Sequence, residues 1–140
     1  MDFLAVDLIR SGAALYRHEV AQLTPPVLVW MWVMRLVFFG GLLLFPKREA
    51  VAVVGTMLAT ALLIFAIKGL FVAVPSAQIG AALHLVLWTP LLIFLLVCWR
   101  RREQPMLVRD RILRIWTLLT AGLLAISLLF DAREVMLAMT

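Results

Sequence analysis

The chain has 140 residues, of which 65% are hydrophobic and only 15% charged, against about 45–50% and about 25% in typical soluble domains. The mean hydropathy of +1.07 excludes a water-soluble globular domain. The net charge of +5 does not indicate nucleic-acid binding, because the basic residues concentrate in one loop without the interleaved aromatic side chains that strand binding requires. We therefore expect an integral membrane protein with no nucleic-acid partner.

The first segment, residues 2–23, has the periodicity of an amphipathic helix. Charged side chains such as Arg10 and Arg17 recur on one face, while Leu8 and Leu15 recur on the other. The segment carries too much charge to span a membrane. We expect it to lie in the membrane interface beside the spanning helices.

Four nearly uncharged stretches follow, at residues 27–45, 50–74, 79–98 and 112–130. Each is close to the roughly 20 residues that a helix needs to cross about 30 Å of hydrocarbon. Short connections between helices favour antiparallel neighbours. The sequence therefore predicts an all-α integral membrane protein with a single membrane domain, residues 1–140. Its four transmembrane helices are expected to form an antiparallel bundle, with the amphipathic interfacial helix at the N-terminus.

Lysine and arginine residues are distributed unequally between the connecting segments. Seven lie in the first and third loops, and three lie on the side of the termini and the second loop. The positive-inside rule then predicts an inner (plasma) membrane protein with both termini extracytoplasmic. The run Arg100, Arg101 and Arg102 is interpreted mainly as a topology determinant, with interfacial or anionic-lipid contact as the alternative.

The first and third stretches contain polar side chains that suggest a binding site. Arg35 is the ninth of 19 residues in its stretch, where a charge costs roughly 2.5–3.5 kcal/mol. His84 and Trp88 are one helical turn apart on a single face. If these helices touch, Arg35, His84, Trp88 and Thr89 would form a pocket for an anion, a quinone carbonyl, a lipid headgroup or a carboxylate of a partner chain. The alternative is a structural role, with helix-to-helix hydrogen bonds and packing.

The second and fourth stretches carry features of helix packing. Gly55 and Ala59 form a small-residue face in the second stretch, and Ala121 and Ala125 form another in the fourth, so both faces are expected to pack against helices. Lys68 lies on the opposite side of its helix from Gly55. We expect Lys68 to snorkel toward the interface, facing lipid or a subunit boundary.

The sequence lacks the signatures of several functional classes. No Asp or Glu lies inside the four predicted stretches, which disfavours cation-coupled transport. Motifs of soluble-type catalysis are missing, and two His with one Cys do not form a convincing metal site, so no metal and no cofactor are expected. The favoured function is a non-enzymatic accessory or interaction subunit that meets membrane lipid and a protein partner or a second copy. The alternative is binding or transport of an anionic or quinone-like molecule, or a lipid, at the Arg35 pocket.

Overall fold

The computed structural model describes residues 3–101 and 107–139, and all regular structure in these ranges is helical. The elements are α1 (Phe3–Val20), α2 (Pro25–Gly40), a short 3-10 helix (Gly41–Leu44), α3 (Arg48–Leu70), α4 (Ser76–Arg101) and α5 (Val108–Ala138). Four segments are long and apolar enough to cross a membrane: Pro25–Leu44, Arg48–Leu70, Ser76–Arg101 and Val108–Leu137. The expectation of an all-α chain with four candidate membrane spans is therefore confirmed.

The ends of two helices differ from the apolar stretches. Helix α3 ends at Leu70, although the apolar stretch continues to Val74. Helix α5 continues to Ala138, beyond the expected end at residue 130, because residues 131–138 include Ala, Arg, Glu, Met and Leu, which favour helix. Asp131 therefore lies within a helix that is a candidate membrane span.

The backbones of α1 and α3 approach each other closely at two glycines. A Cβ atom added to Gly12 would overlap the carbonyl oxygen of Phe65, and one added to Gly69 would lie 2.5 Å from the carbonyl oxygen of Leu8. The rings of Tyr16 and Phe65 pack edge to face with centroids 5.5 Å apart. The absence of a side chain at Gly12 and Gly69 thus lets the backbones of α1 and α3 touch.

The small-residue face of α3 does not form such a contact. Gly55 and Ala59 are exposed, and no atom lies within 4 Å of a Cβ placed on Gly55. Among the described residues Gly55 packs against no other helix, because α1 covers the face of α3 that carries Gly69. Packing of Gly55 and Ala59 against a helix of another chain stays a prediction. In α5, Ala121 is buried in the hydrophobic core and Ala125 is half-buried.

The core lies between α2, α3, α4 and α5. Its largest members are aromatic and aliphatic side chains that are at least nine-tenths buried, among them Phe38, Trp88, Leu95, Leu113 and Leu124. Between helices that span a membrane, such side chains stabilise the bundle by van der Waals packing, because lipid tails are as apolar as the side chains themselves. This core supports the inner faces of α4 and α5, from which the candidate site is built.

The connection between α2 and α3 contacts residues of α5 that are distant in sequence. Lys47 forms an ion pair with Asp110 at 3.1 Å, and Arg109 donates a hydrogen bond to the carbonyl oxygen of Phe45 at 2.7 Å. These contacts hold the α2–α3 connection against the beginning of α5.

Candidate functional site

A network of polar and aromatic side chains connects α3, α4 and α5 around His84. Helix α4 supplies His84 and Trp88, one turn apart on one face, and α5 supplies Ser127 and Asp131 in the same spacing. Helix α3 supplies Thr60. His84 lies eight residues after the start of α4, about 12 Å along the helix at about 1.5 Å per residue.

The imidazole of His84 is paired with a carboxylate. Its Nδ1 atom lies 3.0 Å from Oδ2 of Asp131, and the two side chains are 22% and 16% exposed. The hydroxyl of Ser127 donates to the same carboxylate oxygen at 3.5 Å. Because an ionised carboxylate only accepts hydrogen bonds, Nδ1 presents its N–H to Asp131. Within the described residues no partner binds Nε2 of His84, so that atom is available to a ligand.

Trp88 holds the imidazole from one side. The two rings stack with centroids 3.9 Å apart and an interplanar angle of 26°. Trp88 is itself fixed, since its Nε1 donates to the hydroxyl of Thr60 at 2.9 Å and Phe38 packs edge-on against it at 5.5 Å. The Thr60 hydroxyl in turn donates to the Thr56 carbonyl at 2.8 Å. This chain of contacts fixes the orientation of the imidazole, which is the arrangement that a binding site requires.

The electrostatics of the pair differ from those of an isolated basic residue. Asp131 contributes a negative charge within hydrogen-bonding distance of His84. The pair therefore has zero net charge when the imidazole is protonated and a charge of −1 when it is neutral. Neither state attracts an anion. The arrangement suits a neutral ligand that exchanges hydrogen bonds with an imidazole nitrogen.

Only part of the expected pocket is brought together. His84 and Trp88 are in contact, but Arg35 is half-buried, and its guanidinium carbon lies 5.5 Å from the ring centroid of Trp32, which is 60% exposed. Arg35 makes no hydrogen bond to α4 in the described part of the chain, and Thr89 is exposed. The expected approach of Arg35 to Trp88 is wrong. Long side chains lean back over the preceding helical turn, and the contact of α2 with Trp88 is made instead by Phe38.

Sequence reasoning missed Asp131 and Thr60. Asp131 directly follows the fourth apolar stretch, so the hydropathy of the sequence does not place it in a membrane span. In an antiparallel arrangement the end of that stretch lies beside the start of the third, which contains His84. An acidic residue at the end of the fourth stretch was therefore the sequence feature that could have indicated a partner for His84. Thr60 carried no comparable signal, because a threonine hydroxyl on a helix commonly bonds to its own backbone.

Lys68 occupies a different environment from the one expected. It is 2% exposed, not directed to lipid. Its Nζ atom donates to the carbonyls of Val72 and Val74 at 2.8 and 2.7 Å and pairs with Glu19 at 2.5 Å. A lysine ammonium has three donors, so all three are used. The snorkelling interpretation is therefore wrong, because α3 ends at Leu70 and the connection that follows presents carbonyl groups to Lys68.

Glu19 completes a second polar cluster, formed by α1, α3 and the start of α4. Its other carboxylate oxygen accepts a hydrogen bond from the backbone N–H of Ser76 at 2.7 Å, and this N–H belongs to the first turn of α4. Burial raises the pKa of Glu19, but hydrogen bonds from Lys68 and Ser76 lower it by more, so the pKa lies below its usual range. Glu19 and Lys68 thus join three elements.

The basic residues at the end of α4 are exposed. Arg100 and Arg101 lie in the last turn of α4, and Arg102 lies outside the described residues. The guanidinium of Arg114 in α5 lies 5.4 Å from the ring centroid of Trp99, which links the end of α4 to the beginning of α5.

Neither a metal-binding group in the described residues nor a similar protein indicates the function. Among residues 3–101 and 107–139, no group of three or more His, Cys, Asp or Glu side chains is placed to hold a metal ion. Comparisons of the chain with protein-family models, with curated proteins and with solved structures give no match. The function must therefore be inferred from the geometry around His84.

Proposed function

We propose that this chain is a small multi-pass membrane protein that binds a neutral, quinone-like molecule at His84. The single observation that carries this proposal is the imidazole held by Asp131 on one nitrogen and by Trp88 on one face, with Nε2 left for a ligand. A fixed, half-buried group that can donate or accept a hydrogen bond is the kind of polar group that orients a ligand in a small-molecule site. We propose a non-enzymatic role in binding or transport.

The proposed ligand is quinone-like because of the charge of the His84–Asp131 pair and because the ligand must reach the pair through the membrane. An anion is disfavoured by Asp131, which offsets the positive charge of a protonated His84. A ligand that reaches the site through hydrocarbon must itself be largely apolar. A ring that carries carbonyl or hydroxyl groups meets both conditions, since its oxygen atoms can hydrogen-bond to Nε2 and its body can remain among apolar side chains.

The membrane arrangement belongs to the same proposal. We propose an antiparallel four-helix bundle in the inner membrane, with α1 at the interface and both termini extracytoplasmic. The contacts between the α2–α3 connection and the start of α5 support the placing of these segments at one end. The excess of Lys and Arg in the first and third loops supports a cytoplasmic location for that end.

The proposed binding at His84 is tested by measuring equilibrium binding to the purified protein in mild detergent. A short-tailed benzoquinone is titrated into the wild-type protein, His84→Leu and Arg35→Leu, with calorimetric detection. Loss of a hydrogen bond of about 1.5–3 kcal/mol predicts that His84→Leu weakens binding at least about tenfold. Arg35→Leu is the matched control, because it removes the other basic side chain of the predicted pocket, and it should bind like the wild type. Wild-type affinity in His84→Leu would contradict the proposal.

A second candidate function is that of an interaction subunit. The supporting observation is that Gly55 and Ala59 leave an open strip on α3, with no atom near a Cβ at Gly55. A helix of a protein partner or of a second copy could approach closely there. Native mass spectrometry of wild-type protein and Gly55→Leu tests this role. Loss of an associated chain in Gly55→Leu supports it, and identical assembly of the two proteins contradicts it.

A further inference from the structure

The hydrogen bond between His84 and Asp131 fixes the chemical role of the remaining imidazole nitrogen. Nδ1 presents its N–H to the Asp131 carboxylate at 3.0 Å. Nε2 then carries a lone pair when the ring is neutral and an N–H when the ring is protonated. Without Asp131 a neutral imidazole could place its proton on either nitrogen. The two charge states of His84 therefore offer opposite hydrogen-bonding roles at one atom.

We propose that the charge state of His84 selects the chemical form of the ligand. The neutral imidazole accepts a hydrogen bond from the hydroxyl of a hydroquinone, whereas the imidazolium donates one to the carbonyl of a quinone. This inference rests on the proposed binding of a quinone-like molecule at the site. It adds that binding of the two forms depends on pH with opposite sign.

The surroundings of His84 contain few groups that could produce the same pH dependence. Asp131 on α5 is the charged side chain in contact with it among the described residues. The elements packed against Trp88 contribute the uncharged Thr60 from α3 and Phe38 from α2. The nearest charged side chains along α5, Arg133 and Glu134, are exposed. On α4 itself, residues 76–99 contain no Asp, Glu, Lys or Arg.

The size of the effect follows from the fraction of protein in the competent state. A ligand that binds only one charge state has an apparent Kd equal to its intrinsic value divided by that fraction. Where His84 is mostly protonated, the Kd of the hydroquinone therefore rises tenfold for each unit by which the pH falls. Where His84 is mostly neutral, the Kd of the quinone rises tenfold for each unit by which the pH rises. A phenolic hydroxyl titrates near pH 10, so the hydroquinone itself does not change charge in this range.

The test measures both affinities over a range of pH. A short-tailed benzoquinone and its hydroquinone are titrated anaerobically into purified protein in mild detergent, from about pH 5.5 to about pH 8, where imidazole ordinarily changes charge. The variants are His84→Gln, which can donate and accept but does not titrate, and His18→Gln, which removes the other histidine of the chain. Helical circular dichroism establishes that each variant is folded.

In the wild type and in His18→Gln, we expect the Kd values of the two ligands to change with pH in opposite directions. In His84→Gln, we expect both Kd values to be independent of pH. Parallel slopes in the wild type, or opposite slopes that persist in His84→Gln, would overturn the selection by charge state while leaving binding itself established. Failure of both ligands to bind the wild-type protein would instead overturn the proposed function.

Discussion

Among the described residues, the pairs Lys68–Glu19 and His84–Asp131 each join two helices, and they differ in how completely their donors are used. Lys68 is 2% exposed and directs all three of its donors to protein acceptors, one of them on Glu19. His84 is 22% exposed and uses one nitrogen for Asp131, with none of the described residues bound to the other. A polar group whose hydrogen bonds are complete stabilises a fold, while a fixed group with one bond unmade can bind a ligand. This contrast distinguishes the structural pair from the candidate functional pair.

The largest effect on stability is expected when the counter-charge of Lys68 is removed. Glu19→Gln preserves the shape of the side chain but leaves a buried ammonium without its negative partner. Breaking a buried pair costs about 3–5 kcal/mol. Because the Glu19 side chain is 36% exposed, we expect about 3 kcal/mol or less in the free energy of unfolding. Denaturant titration in mixed micelles measures it.

The exposed Glu134 provides the control for this substitution. Glu134→Gln should change the free energy of unfolding by less than about 0.5 kcal/mol. Adding Lys68→Met to Glu19→Gln removes the stranded charge and should restore part of the lost stability. A double variant less stable than Glu19→Gln would show that the hydrogen bonds of Lys68 to the carbonyls of Val72 and Val74 contribute more than the unpaired charge costs.

The second largest loss of stability is expected at Gly12, where α1 contacts α3. Gly12→Ala places a methyl group on the Phe65 carbonyl oxygen, which must force α1 away from α3 at a cost of roughly 1–3 kcal/mol. Gly55→Ala is the matched control, since nothing lies within 4 Å of the added carbon. It should stabilise α3 by up to about 1 kcal/mol through helix propensity. Equal destabilisation by the two substitutions would contradict the different environments of Gly12 and Gly55.

Acid is expected to weaken the Glu19 cluster by a smaller amount. The pKa of Glu19 is lowered in the folded protein by its hydrogen bonds from Lys68 and Ser76, against the effect of burial, which raises it. A depressed carboxyl pKa contributes stability above the unfolded value, near pH 4.3, and this contribution is lost as the pH falls through the folded value. The Tm of the wild type should therefore fall further than that of Glu19→Gln between pH 6 and pH 3. Parallel falls would exclude Glu19 as the cause.

Hydropathy is enough to predict the number of spans. The four apolar stretches depend only on local sequence, and each lies largely within one of the candidate spans. The roles of individual polar residues depend on partners distant in sequence. The predicted environment of Lys68 is wrong because its counter-charge, Glu19, belongs to another helix. Gly12 and Gly55 are equivalent as residues, and only the path of α1 determines which one lies at a helix contact.

The candidate site could be predicted only in part, for the same reason. His84 and Trp88 were identified together because their spacing of one helical turn is a local property. Asp131 was missed because the end of a hydropathic stretch does not mark the end of a helix, and α5 continues through residue 131 to Ala138. The prediction for Arg35 rests on its depth, on the cost of a charge there and on the lean of helical side chains toward the N-terminus. None of these specifies which face of α2 meets α4, and the structure turns Arg35 toward Trp32.

The smallest effect on stability is expected at the candidate functional pair. Asp131→Asn retains an oxygen that can accept the Nδ1 hydrogen bond of His84, so it changes a charge-assisted bond to a neutral one. Charge-assisted and neutral hydrogen bonds contribute about 1.5–3 and about 0.5–1.5 kcal/mol, and the His84 side chain is 22% exposed and can lose its proton. We therefore expect a stability loss below about 1 kcal/mol in the micelle titration used for Glu19→Gln. Binding of the benzoquinone should nevertheless weaken, because the neutral amide no longer stabilises the imidazolium that donates to the carbonyl. If Asp131→Asn destabilised the protein as much as Glu19→Gln and left the affinity unchanged, both pairs would be structural and the contrast between them would not hold.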